Sequence, residues 1–386
     1  MPWKDRTAMS ERREFVVKSR QIGANISQLC HEYGISRTTG YKWLRRFDAE
    51  GEQGLQEQSR RPHRSPNKAS EEIEEVILEV RSQFPSWGGV KIIEYLKRNG
   101  WQKLPAASTV TAILHRHNQI DPAESCKHKA IQRFEWAAPN DLWQMDFKGY
   151  FHLAHGRCCP LTILDDHSRF LVGLHACPDQ SWHTVQIQLT NTFRQYGLPH
   201  RMLMDNGSPW GDFRESPHTI LTSWLMRLDI DVSHGRPYHP QTQGKDERLH
   251  RTLQAELLSR DRFRTLPECQ KSFDHWREFY NYERPHQALG HSVPADRYQS
   301  SERCFPEKLP PITYQQGFIV RIVDTSGRIS FHNQSYRISK AFQYLPVGLR
   351  PTEIDGDYDV FFGSKKVAQI SLRNHNKGVK HVPEEM

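Results

Sequence analysis

No stretch of this chain approaches the roughly 18 consecutive apolar residues of a membrane-spanning helix. The opening MPWKDRTAMSERRE carries charge where a secretory signal needs an apolar core. Cysteine is sparse and unpatterned: Cys30, Cys126, Cys158, Cys159, Cys177, Cys269 and Cys304 make an odd number with no C-x-x-C spacing. That argues against both a disulfide framework and a zinc knuckle. Together these absences point to the reducing cytoplasm rather than to export or a membrane.

Acid is the minority charge. Lys and Arg number 53 against 45 Asp and Glu, a formal +8 with a pI near 9.1, which suggests a polyanionic partner. The excess is uneven, since residues 1 to 68 hold 14 basic side chains against 8 acidic ones, a net of +6. At 386 residues the chain exceeds what one hydrophobic core serves, and several domains are expected.

Residues 26 to 47, ISQLCHEYGISRTTGYKWLRRF, put Leu29, Tyr33, Ile35 and Trp43 at core positions, with Cys30 in a first helix and Gly34 at a turn. This is a helix-turn-helix pattern. Ser36 is placed to cap a second helix that displays Arg37, Thr38, Thr39 and Lys42, where a recognition helix meets bases and phosphates. Gly40 inside that helix costs about 1 kcal/mol relative to Ala. The basic bias favours DNA binding over a plain helical bundle. QSRRPHRSPNK, residues 58 to 68, has no acid and reads as an extended linker, whose Arg60, Arg61 and Arg64 suit a minor groove.

Three further helices follow: SEEIEEVILEVRSQ, then VKIIEYLKRN ended by Gly100, then STVTAILHRHN capped by Ser108. They read as a second helix-turn-helix-like module, winged or unwinged. From residue 137 the texture changes to strands LWQMDFKG, CCPLTILDD and FLVGLHA, a helix near 181 to 196, the strand RMLMD, a helix near 217 to 228 and a short DVSH run. Three strands followed by alternating helix and strand imply a mixed sheet with a parallel portion and crossover helices. In RPYHPQTQGKDERLHRTLQAELLSR a Pro-rich loop opens into a helix striped by Leu249, Leu253 and Leu257. On a helical wheel Asp246 points within about 30° of that stripe's centre and Glu247 about 120° away.

Asp205, in RMLMDNGSP, raises a separate question, because Asp-Asn-Gly also suits a plain turn between strands. The motifs around it answer it. WQMD (143 to 146), DDHSR (165 to 169), MDNG (204 to 207), HPQTQGKDER (239 to 248) and RPHQALG (284 to 290) resemble the integrase-core transposases of bacterial insertion sequences, which are similar to retroviral integrases in their three-acid core. The resemblance spans roughly residues 11 to 300.

It implies a DDE-type DNA transposase of bacterial, nucleoid-associated location. The fold would be multidomain α/β: a ribonuclease H-like mixed-sheet catalytic core with N-terminal helix-turn-helix domains and a C-terminal small SH3-like β-barrel. The implied acid triad is Asp146, Asp205 and Glu247, holding two Mg²⁺ ions with Mn²⁺ as a substitute. The partners would be double-stranded DNA, both terminal inverted repeats and target, and the protein would act as a homodimer or larger homo-oligomer. Lys245, Arg248 and Arg251 would grip backbone beside the site.

The chemistry agrees. Joining DNA needs a hydroxyl to attack an anionic phosphodiester, and two metals about 4 Å apart activate the nucleophile and stabilise the leaving oxygen. Asp165 and Asp166 take a local role, pairing with Arg169 or capping their turn, and His167, His239 and His286 are structural or DNA-facing rather than Mg²⁺ ligands. Two alternatives stay open: a DNA-binding regulator that has lost activity, and a ribonuclease H-type nuclease.

The expected domains are a helix-turn-helix domain at 1–57, a basic linker at 58–69, the second module at 70–121, a linker at 122–136 and the catalytic core at 137–300. After a Pro-containing linker at 301–314, five strand signals broken by Thr325-Ser326-Gly327, Asp355-Gly356-Asp357 and Gly363-Ser364 suggest the barrel at 315–372, with a tail at 373–386.

Overall fold

The computed structural model describes residues 7–57, 69–120, 135–211, 218–235, 244–373 and 379–381. The chain divides into two compact units, residues 1–68 and 69–386. Among the described residues no helix is long and apolar enough to cross a membrane.

In the first unit, α1 (Ala8–Ser19), α2 (Ile26–Glu32) and α3 (Arg37–Glu50) pack around Phe15, Val16, Cys30, Trp43 and Leu55. Leu29, Tyr33 and Ile35 border this core half-buried. Each helix starts on a side-chain cap, and Ser36 Oγ accepts from Thr39 N at 3.2 Å, as the sequence implies. Gly34 takes a φ of +63° to turn the chain between α2 and α3. Gly40 has a packing reason: a Cβ there would lie 2.5 Å from Cys30 Sγ and 3.0 Å from Phe15 Cζ. Its helix cost is offset by the close approach of α3 to α2, which leaves Arg37, Thr38, Lys42 and Arg45 on the exposed face.

The second unit opens with α4 (Glu71–Gln83), α5 (Gly89–Arg98) and α6 (Ala107–Arg116) around Ile77, Trp87, Ile92, Val110 and Ile113. Ser108 is not the cap. Ala106 is the last extended residue, at ψ 154°, so α6 begins two residues sooner than a Ser108 cap would set, with no side-chain cap. No strand, and hence no wing, occurs among the described residues of this module.

The central sheet contains β1 (Leu142–Phe147), β2 (Phe151–His152), β3 (Arg157–Asp165) and β4 (Leu171–Cys177). After α7 (Trp182–Tyr196) come β5 (Arg201–Met204), α8 (Ile220–Arg227) and β6 (Asp231–His234). β4, β3 and β1 pair antiparallel, then β5 and β6 continue parallel to β1. This is the mixed sheet the pattern implies. One face packs on α7 and α8 through Trp143, Met145, Leu189, Phe193, Met202 and Leu225. The other meets α9 (Gly244–Leu253) and α10 (Leu266–Tyr282) through Leu249, Leu253, Leu257, Phe273 and Trp276.

After α9 the chain makes a π-helical turn at Gln254–Leu258, which turns Glu256 inward. Its carboxylate accepts from Arg284 Nε at 3.0 Å and Nη2 at 2.9 Å, and from the Trp87 indole at 3.0 Å. Phe84 stacks on Phe279 of α10 at 4.8 Å beside it. The helical module is thus tied to the back of the core.

The C-terminal region differs from the expected barrel. β7 (Ile319–Ile322), β10 (Pro346–Pro351), β11 (Asp357–Phe362), β12 (Lys365–Ser371) and β13 (Val379–His381) form one antiparallel sheet in the order β13-β12-β11-β10-β7. β8 (Arg328–Phe331) and β9 (Gln334–Arg337) pair only with each other, because the turn at Asp324–Gly327 leads β8 away from β7's ladder. Two sheets share one apolar core without closing among the described residues. The three turns read from the sequence do separate these strands, with Gly327, Gly356 and Gly363 all at positive φ.

The Arg284 and Glu256 side chains are only 7% and 4% exposed. Glu256→Ala would leave the guanidinium buried and unpaired, so it is expected to cost about 3–5 kcal/mol in urea unfolding. A loss below about 1 kcal/mol would show that the pair behaves like an exposed one.

Candidate active site

Asp146 is the next-to-last residue of β1, and Asp205 follows β5 directly. The parallel register aligns Leu142 with Arg201 and Gln144 with Leu203. Continued two residues further, it sets Asp146 beside Asp205 on strands about 4.8 Å apart. Burial first, then the charges of Asp205 and Glu247, push the Asp146 carboxyl up to about 7. Burial also raises Asp205, against the pull of the Gly207 amide and of His234. Among the described residues no Lys or Arg pairs with either acid.

The Asp-Asn-Gly segment holds this geometry. Gly207 N donates to Asp205 Oδ1 at 3.0 Å, Asn206 Nδ2 donates to Gly235 O at 2.6 Å, and His234 Nδ1 donates to Asp205 O at 2.9 Å. It is an Asx turn that presents the carboxylate, not a hairpin joining two strands.

On α9, Asp246 is 1% exposed, and neither carboxyl oxygen has a hydrogen-bond partner. Burial, then the charges of Asp146 and Asp166, hold it well above the ordinary carboxylate range. Glu247 is exposed, and its charge reaches Asp146. Four residues past Asp246, His250 sets Nδ1 4.0 Å from Asp146 Oδ2 and Nε2 2.8 Å from Thr162 Oγ1. Thr162 donates its proton to Asp146 O at 3.0 Å, so Nε2 must be the donor and Nδ1 keeps its lone pair toward the carboxyl. Burial, then Lys148, lowers His250 to about 4, which leaves the ring neutral at pH 7. His250 was not singled out from the sequence; its one available signal is the i, i+4 spacing from Asp246.

Other candidates lie apart. The Lys245 ammonium, mostly buried, meets Asp166, whose carboxylate also accepts from Gln144 Nε2 at 2.6 Å and Trp136 N at 2.9 Å. Asp165 caps its turn through Ser168 N at 2.8 Å, while Arg169 pairs with Glu135 at 3.4 Å instead of with either acid. His167 and His286 bond to the carbonyls of Trp136 and Tyr280, as structural histidines do. Arg248 and Arg251 are exposed on α9. On α3, Thr38, Thr39, Lys42, Arg45 and Arg46 line an open hollow of about 430 Å³. Arg60, Arg61, Arg64 and His239 lie outside the described residues.

Two adjacent carboxylates, each desolvated and lacking a Lys or Arg partner among the described residues, match the oxygen donors that a hard divalent cation takes. Among the described residues no three His, Cys, Asp or Glu side chains are gathered closely enough to hold a metal, so Glu247 stands outside a closed set.

Integrase core domain models match residues 137–240 and 228–294. Residues 137–294 are an integrase core. A helix-turn-helix domain model matches residues 11–63, a homeodomain-like model 39–114, and the C-terminal domain of IS481 family transposases 319–378. The chain is similar to an uncharacterized protein of insertion element IS407 from Burkholderia multivorans, at 26% identity over 41% of this chain and 55% of that protein. It thus spans about half that relative's length. A putative transposase for insertion sequence element IS5376 of Geobacillus stearothermophilus is 20% identical, covering 92% of this chain and 86% of that protein. Among solved structures, the HTLV-2 integrase catalytic core in complex with magnesium aligns at 13% identity and a TM-score of 0.32, covering 42% of this chain and 98% of that one.

The integrase core's raised Asp146 makes stability depend on pH. A folded-state pKa lifted from 3.8 to about 7 contributes stability that is complete below about pH 4 and is lost as pH climbs through 7. In EDTA, Asp146→Asn is expected to be more stable than the native chain at pH 8, by on the order of a few kcal/mol, and close to it near pH 4. Urea unfolding at both pH values measures this, and a constant offset between the two proteins would contradict it.

Proposed function

We propose that this protein is a DNA transposase that binds the ends of its own element, nicks them at the 3′ strand and joins them to target DNA. The observation that carries the reading is the parallel register of β1 and β5, which aligns Asp146 and Asp205 under the helix bearing Glu247. Side-by-side carboxylates without a counter-charge repel by about 4 kcal/mol at 4 Å and an effective dielectric of 20, which a scaffold has no reason to keep.

Asp146, Asp205 and Glu247 would hold two Mg²⁺ ions, with Mn²⁺ as a substitute, and these supply nucleophile activation and leaving-group stabilisation. Glu247 is preferred to Asp246 because its side chain is exposed and free to swing toward the strand pair, whereas Asp246 is enclosed. His250 and Thr162 keep the Asp146 peptide in place, and the Asx turn does the same for Asp205. Arg37, Thr38, Thr39 and Lys42 on α3 would read end sequence, with Arg60, Arg61 and Arg64 in an adjoining groove. Arg248 and Arg251 would hold backbone beside the site, and Lys245 would join them only by leaving Asp166. Acting on two ends calls for at least a dimer.

Asp205→Asn and Glu247→Gln are expected to lower strand joining on precut ends in Mg²⁺ by about two or more orders of magnitude while end binding persists. Asp246→Asn, isosteric with the neutral acid, is expected to retain most of it. The reverse pattern at 246 and 247 would transfer the role to Asp246, and full activity in all three variants would assign the joining to a contaminating transferase and leave this protein a DNA-binding regulator.

Recognition has its own test. Lys42→Ala is expected to weaken binding to terminal DNA by about 1–3 kcal/mol and binding to scrambled DNA by less, because a base contact is lost. Gel-shift titration against both DNAs measures the difference, and an equal loss on both would move Lys42 to the backbone contacts.

A further inference from the structure

Beside the acid pair lies a hollow of about 520 Å³ that the proposed chemistry does not use. Lys148, two residues past Asp146, lines one edge, and its ammonium donates to Gln254 Oε1 just beyond the site helix at 2.6 Å. The floor is apolar and fixed. Leu153 and Phe263 are buried there, Phe151 packs on Phe263 at 5.9 Å, and Ala154 N and His155 N donate to the carbonyls of Phe263 and Arg264 at 3.3 Å.

The rim is of another character. Tyr150 is 62% exposed, a large aromatic ring left in water, with His152 perpendicular to it at 5.6 Å. Arg262 and Arg264 belong to the same lining and are exposed, and neither pairs with an acid among the described residues. Asp261 is the one acid of the lining.

We propose that this hollow receives one unpaired nucleotide of the DNA strand whose neighbouring phosphate lies at Asp146, with the base stacked on Tyr150 and the backbone against Lys148, Arg262 and Arg264. The inference rests on the transposase reading for the identity of the strand. An aromatic face flanked by cations is the combination that holds single-stranded nucleic acid, since every base has a π-face and every linkage a charge. A paired base cannot present its face to a side ring, so the occupant must be unstacked, which costs least at a chain end or a mismatch. The volume suits one nucleotide rather than a duplex, and lies in the usual range of small-ligand pockets. Asp261 adds a preference. Its carboxylate accepts from the exocyclic amine of adenine, cytosine or guanine, whereas an unpaired thymine offers only its ring N3–H, flanked by two carbonyl oxygens that repel the carboxylate.

The test uses the full chain and a terminal duplex with 2-aminopurine placed in turn at each position on either side of the cleavage point. Leaving the duplex brightens this base, and a single tyrosine face quenches it only in part, so one position is expected to brighten on binding. Tyr150→Ala is expected to abolish the rise and weaken binding of a short single strand by about 5- to 100-fold, and Tyr150→Trp to restore it. Arg262→Ser with Arg264→Ser is a second arm at exposed positions, expected to weaken the same single strand. Thymine opposite Asp261 is expected to bind less well than adenine or cytosine. Joining without brightening at any position, or equal brightening in Tyr150→Ala, overturns the hollow and leaves the transposase reading standing. Brightening that depends on Tyr150 without joining keeps the hollow and removes the transposase reading, and absence of both removes both.

Discussion

One buried carboxylate carries more of this molecule than any other group. Glu256 sits in the π turn after α9, where the extra residue of the turn offsets the chain by about 100° in all from an unbroken α-helix. In its place it binds Arg284 from the loop after α10 and Trp87 from the helical module. Arg284 belongs to the RPHQALG motif, so that motif works as the far half of an anchor whose near half is the end of the site helix. The register of α9, and hence the place of Asp246 and Glu247, depends on that anchor. A buried pair of this kind need not stabilise the fold in net terms, but losing one partner is costly, so it selects a single arrangement of three segments.

The active site is built on the opposite condition. At Glu256 charges are matched and enclosed, whereas at Asp146 and Asp205 like charges are placed side by side by the backbone ladder, which neither side chain can leave. Both conditions arise from burial. Desolvation makes an ion pair directional in one place and an acid cluster needy of a cation in the other. The neutral His250 fits this division, since it occupies the space beside Asp146 without supplying the positive charge that would satisfy it.

Much of this was legible in the sequence because the signals were local. Strand-like runs bounded by turn residues located β1, β3, β4 and β5 within a residue or two, Ser36 announced its helix, and the Leu249, Leu253 and Leu257 stripe announced the buried side of α9. What escaped was settled by partners far along the chain. Trp87 and Glu256 are 169 residues apart, and His250 and Thr162 are 88 apart. Lys245 shows the same limit: beside Arg248 it reads as a phosphate contact, but folding brings Asp166 to it from the second long strand. The expected barrel failed for a related reason. Strand signals and turns were right, yet closure is a property of which edges pair, and no single strand records it.

Asp246 and Glu247 are adjacent acids in the first turn of α9. A 100° step separates them, and the first falls on the leucine stripe while the second falls off it. Asp246 therefore has to be buried if the stripe is, and with no hydrogen-bond partner it persists only as the neutral acid or as the neighbour of something positive. Glu247, off the stripe, is exposed to water. One helix turn, clamped at its far end by Glu256, thus supplies both an exposed carboxylate and a buried one held well above the ordinary carboxylate range. The second lies within electrostatic reach of Asp146 and Asp166. Any cation drawn to the strand pair would lower the energy of ionising Asp246 as well, so the burial of that acid couples the packing of α9 to the charge of the site.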